Sequence, residues 1–112
     1  MGLRAILKSW FQDDRTLRAM AADAARRCET AVWQHVGPRA STMPLAEARG
    51  YVRARSAGIV RKQVELVLLA KPDLAPKTRL RIQIEAHDLA VVRAIDVMRT
   101  RTVVPPALLK AA

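Results

Sequence analysis

The chain is poor in the residues that usually declare a chemistry. It holds one cysteine, Cys28, in 112 residues, which excludes an internal disulfide and points to a reducing compartment. Aromatic residues make up 4% of the sequence, so the stacking platform of a single-stranded RNA reader is missing. The 4 glycines are scattered, and no glycine-rich phosphate loop can be drawn from them. No apolar run approaches the ~18 residues that a membrane span requires. The opening residues are interrupted by Lys8 and too short for a secretory core, and Asp13 and Asp14 do not suit a transit peptide. Ile6 stands where a myristoylation signal carries Ser or Thr. The expectation by elimination is a cytoplasmic protein.

What is present is alanine, aliphatics and arginine. Hydrophobic residues make up 51% of the chain, and with so few aromatics among them they favour helix over sheet. A chain of this size forms one domain with a modest core. Twenty basic residues against 10 acidic ones give a formal charge of +10, and such a surface attracts polyanions: nucleic acid, anionic lipid or an acidic protein. A GC-rich coding sequence would favour Arg over Lys without any role in binding. It would not explain why acids are half as numerous as bases.

Hydrophobic spacing divides the chain into helices. Leu3, Ile6, Leu7, Trp10 and Phe11 recur on one face opposite Arg4 and Lys8, which predicts a short amphipathic N-terminal helix. Asp13 or Asp14 is a suitable N-cap for a second helix, and Gly37 followed by Pro38 signals its end near Val36. Leu17, Met20, Ala21, Ala24, Cys28, Ala31, Val32 and His35 share its apolar face. Ser41 or Thr42 then caps a third helix entered at Pro44. Its face comprises Leu45, Ala48, Val52, Ser56, Ile59, Val60, Gln63, Leu66 and Val67, while Gly50 and Gly58 suggest a closely approaching neighbour. After Pro72, residues 80–85 alternate as a strand would. A lone strand has no partner, and Leu80, Ile84, His87, Val91, Ala94, Ile95 and Met98 continue at helical spacing. The predicted fold is all-α: a small antiparallel helical bundle of a short N-terminal helix plus three long ones, over residues 1–101. Residues 102–112, with Pro105 and Pro106, read as a loosely ordered tail.

Catalytic and metal constellations are thin. His35 and His87 each fall on an apolar face of a different helix, where they could meet each other, Cys28 or Asp88. No HxxxH, CxxC or ExxH spacing accompanies them, so neither a metal site nor any cofactor is expected. Cys28 and Ser56 sit at core-facing positions without an activating motif, which speaks against a nucleophilic enzyme.

The arginines of residues 44–71 are different in kind. Arg61 and Lys62 neighbour Glu65, whereas Arg49, Arg53 and Arg55 have no acid three or four residues away. An external anion would relieve their repulsion, and arginine's planar donor fork suits a phosphate or carboxylate. Tyr51 lies between them and Arg39 precedes them. The sequence therefore suggests a small basic, non-catalytic binding or assembly module. Its partner would be an acidic protein or a nucleic-acid backbone, held by Arg39, Arg49, Tyr51, Arg53 and Arg55. The competing expectation is a peripheral membrane-surface or homo-oligomerising protein, docking through Leu3, Ile6, Leu7, Trp10 and Phe11. The bland alternative for the arginines is that they reach into water or meet Glu85 or Asp96 across the bundle.

Overall fold

The computed structural model describes the backbone of residues 3–102 and the side chains of residues 14–100. Three helices account for it: α1 (Leu3–Ala40), α2 (Leu45–Leu68) and α3 (Pro76–Thr102), each packed against the other two. The all-helical bundle agrees with the sequence pattern, but its helix count does not. The predicted N-terminal helix and the one after it are a single 38-residue helix. No glycine or proline occurs between Leu3 and Val36 to break the hydrogen-bond ladder. An N-cap preference of about 1 kcal/mol is too weak to interrupt a helix that neighbouring turns propagate. Asp14 is accordingly a mid-helix residue, bridging Arg18 at 3.4 Å and Arg81 of α3 at 3.7 Å. The docking residues Leu3, Ile6, Leu7, Trp10 and Phe11 have side chains outside the described residues, as does the tail beyond Thr102.

The Gly37–Pro38 stop is also overrun, since α1 continues through Pro38 to Ala40. Proline clashes with the Cβ of a helical residue before it, and glycine has none. Gly37 serves a second purpose: a Cβ there would lie 2.7 Å from the Trp33 ring, one helical turn back. Ser41 and Thr42, expected to cap the next helix, instead donate their hydroxyls back to the carbonyls of Gly37 and Arg39, both at 2.7 Å. They close the end of α1, while Pro44 is the N-cap of α2, its carbonyl accepting the amide of Ala48 at 2.8 Å.

The core is built from small and medium side chains. Ala21, Ala24, Ala25 and Cys28 of α1 are fully buried, as are Ala48, Val52, Ser56 and Val60 of α2 and Ile82 and Ala86 of α3. Small residues at the contact let helix axes approach closely. They also set the phase of each helix, and several large residues are displaced as a result. On α3 the buried row is Ile82, Ala86, Ala90, Ala94 and Met98, so Leu80 and Ile84 face outward, the reverse of the predicted arrangement. On α1 the predicted core residues Ala31 and His35 are exposed, and Ala25 and Val36 take their places. On α2, Val64 is buried while Leu45 and Leu66 are exposed.

The buried hydroxyl of Ser56 finds no hydrogen-bond partner, a cost of about 1–3 kcal/mol relative to a satisfied one. Gly50 and Gly58 do not meet a neighbouring backbone as expected: a Cβ at either would touch nothing within 4 Å. The three helical glycines therefore separate by experiment. Alanine at position 50 or 58 should raise stability by about 1 kcal/mol each, whereas Gly37→Ala should lower it by about 1–3 kcal/mol by driving a methyl into the Trp33 ring. Urea unfolding followed by circular dichroism measures all three.

Candidate binding faces on either side of α2

The bundle divides the predicted arginine cluster between two surfaces. Arg53 donates from Nη1 to Oδ1 of Asp88 on α3 at 2.8 Å. The carbonyl of Arg53 accepts the Nε2 proton of His87, also at 2.8 Å. These bonds show which flank of α2 looks toward α3, and Arg49, one turn earlier, lies on it. Arg49 and Arg53 border a cleft of about 300 Å³ whose α3 wall includes Val91, Val92, Ile95 and Asp96. Arg49 has no ion pair among the described residues, so α3 compensates one member of the cluster directly and leaves the other facing a shared cleft.

Tyr51 and Arg55 occupy the opposite flank, two residues from Arg49 and Arg53 and so about 200° around the helix. The Arg55 guanidinium stands over the Tyr51 ring, 5.7 Å from its centroid, a contact worth about 0.5–1 kcal/mol at an exposed site. That flank faces α1. The α1 flank toward α3 is identified by Glu29, which accepts from Arg93 at 3.3 Å. The flank toward α2 then carries Ala31, His35 and Arg39 at i, i+4 spacing, all exposed. The four-residue connection between Ala40 and Leu45 makes α1 and α2 antiparallel neighbours. Counting back from it puts Tyr51 at the level of His35 and Arg55 about one turn further along, near Ala31, while Arg39 lies nearer the connection, level with Ala46.

The five predicted anion-binding residues thus form two groups: Arg39, Tyr51 and Arg55 where α1 meets α2, and Arg49 and Arg53 where α2 meets α3. His35, read from the sequence as core, joins the first group as a surface residue. Its phase relative to a core of small residues was the missing signal. His35 and His87 do not meet, because they lie on opposite sides of α2. Elsewhere bases are compensated within α1, where Asp23 accepts from Arg26 at 2.6 Å and Arg27 at 3.0 Å.

Neither candidate nucleophile is reachable. Cys28 is fully buried and gives its thiol proton to the carbonyl of Ala25 at 3.3 Å, and Ser56 is equally enclosed. Among the described residues no three His, Cys, Asp or Glu side chains are grouped to hold a metal ion, and no helix is long and apolar enough to cross a membrane. Comparison with known protein families, with curated proteins and with solved structures gave no match.

Burial pushes the Cys28 thiol above its ordinary range; its own backbone amide and Arg93, which favour the thiolate, oppose the rise, and nearby Glu29 adds to it. The folded chain therefore keeps a proton that the unfolded chain releases in alkali. This contribution to stability is complete below about pH 8.5, the ordinary thiol value, and is lost as pH climbs through the higher folded-state value. Between pH 8 and 10, roughly, unfolding free energy should fall more steeply for the wild type than for Cys28→Ala. Denaturant titrations at stepped pH measure the two slopes.

Proposed function

We propose that the chain is a small basic, non-catalytic binding module that engages an acidic partner, a nucleic-acid backbone or a carboxylate-rich protein surface, through the face where α1 and α2 meet. The observation that carries the reading is the Arg55 guanidinium, held over Tyr51 with no ion pair among the described residues, on the same α1–α2 face as exposed His35 and Arg39, which continue it toward the connection. Stacking limits the rotamers of Arg55 before any ligand arrives, so less entropy is lost when its donor fork meets an anion. Glu47 is the acid on this flank, in the first turn of α2, where it also offsets the helix dipole. With a formal charge of +10, the rest of the surface adds long-range attraction.

Such a face contacts phosphates rather than base edges, so binding should depend on salt and hardly on sequence. Fluorescence anisotropy with single-stranded and duplex oligonucleotides, and with a labelled polyglutamate peptide, tests the proposal. Affinity for at least one of these should fall steeply with added salt. Arg39→Ala and Arg55→Ala should each reduce the salt slope by about 1 on nucleic acid. No salt-dependent binding at low ionic strength, or binding indifferent to both substitutions, would overturn it.

One feature favours a second reading, docking through the start of α1. The connection between α2 and α3 packs at the level of Thr16, Leu17 and Met20, which share a cleft with Lys71, Asp73 and Leu74. The helical backbone of α1 nevertheless begins at Leu3, about three turns further out. On this reading the N-terminal turns bind a membrane surface or another subunit. Flotation with anionic liposomes should then recover the wild type but not Leu7→Glu/Trp10→Glu, and equal recovery of both would refute it.

A further inference from the structure

The geometry points to a dimer: we infer that the α2–α3 face binds a second copy of this chain about a two-fold axis parallel to the helices. The exposed apolar surface is unevenly placed. Leu45, Leu66, Leu69, Leu80, Ile84 and Val92, the exposed large hydrophobics among the described residues, all belong to α2, α3 and the connection between them. Leu80, Ile84 and Val92 are 60%, 53% and 55% exposed along one outward row of α3, with Asp88 at the turn between Ile84 and Val92 and Asp96 at the turn beyond. The outward row of α2 is of opposite character: Ala46, Gly50, Ala54 and Gly58 are all exposed and small, with Arg49 and Arg53 beside them.

The two rows are in register. Arg53 is level with Asp88 and His87, and one turn along Gly50 is level with Val91 and Val92, with which it lines the cleft. Counting the other way, Ala57 and Gly58 are level with Ile84. A two-fold axis parallel to the helices exchanges α2 and α3 and leaves heights unchanged. It therefore seats Val92 of each copy on Gly50 of the other and Ile84 on Ala57 and Gly58, and it brings Asp88 to Arg53. Bulky side chains meet bare backbone, and the Asp88 carboxylate of each copy meets the Arg53 guanidinium of the other. The contact is isologous, so it closes at two copies.

The extent is adequate. Twenty-four residues of α2 run for about 36 Å, and two helices side by side are about 18 Å wide. That gives about 650 Å² of projected face per copy, near the ~800 Å² per partner of a standard interface. The open Cβ positions at Gly50 and Gly58, which serve no purpose inside the bundle, become the sockets of this contact. The α1–α2 face with Arg39 and Arg55 stays uncovered, so each dimer carries two basic faces.

Sedimentation equilibrium of the full chain decides the matter. The wild type should approach twice the 12.4 kDa chain mass with rising concentration. Ile84→Glu/Val92→Glu should remain at the single-chain mass with an unchanged helical spectrum, because both side chains already face solvent. Gly50→Leu is the complementary variant: it strengthens the isolated helix, its Cβ meets nothing within 4 Å in its own chain, and it fills the socket for Val92. Its dimer should dissociate at least about 10-fold more readily. A wild type monomeric at every concentration, or a dimer indifferent to Ile84→Glu/Val92→Glu and to Gly50→Leu, would overturn the inference.

Discussion

Close approach of three helices through alanine and short β-branched residues is the constraint on which the rest of this structure depends. Among the described residues the core contains no fully buried aromatic, and its largest fully enclosed side chain is Ile82. Such a core gains stability from many short contacts between backbones rather than from a few large side chains. Its margin is modest, and one unsatisfied hydroxyl, Ser56, already reduces it. The phase of every helix follows, because whichever flank lets backbones come nearest is the flank that turns inward.

That choice of phase decides what the surface can do. By turning Ile82 and a row of alanines inward, α3 presents Leu80, Ile84 and Val92 to solvent. By turning Ala48, Val52 and Val60 inward, α2 sends its arginines to two different sides. A cluster continuous along the chain becomes two surfaces with distinct chemistry. One is basic, with a guanidinium held over a tyrosine ring. The other mixes exposed aliphatics with charges of both signs and carries the cross-helix pair of Arg53 and Asp88. Both partners of that pair are about half exposed, so it orients Arg53 more than it stabilises the fold.

Much of this is legible in the order of residues alone. Helical spacing identifies the α2 and α3 segments, and it separates Arg61 and Lys62, which have Glu65 nearby, from Arg49 and Arg53, which have no local acid. Where the pattern misleads, the reason is consistent. It weights large hydrophobics over small ones, so Leu80, Ile84 and Leu66 are drawn inward and Ala25, Ala86 and Ala90 are left out, and Ile82, in phase with that alanine row, is left out with them. Capping residues mislead in the same direction: Asp14 and Ser41 have strong local preferences, but one pairs across the bundle and the other closes the preceding helix.

The amino-acid sequence by itself determined that the chain is helical, that it is strongly basic, and that it lacks the spacings of known catalytic and metal motifs. Composition and local periodicity are properties of neighbours along the chain, and they need no tertiary contact to be read. Only the tertiary structure decided that α1 is one helix, that Arg53 has Asp88 as its partner, and that Arg55 and Arg49 look in opposite directions. Those outcomes depend on how closely three backbones can pack, a distance set jointly by residues far apart in sequence.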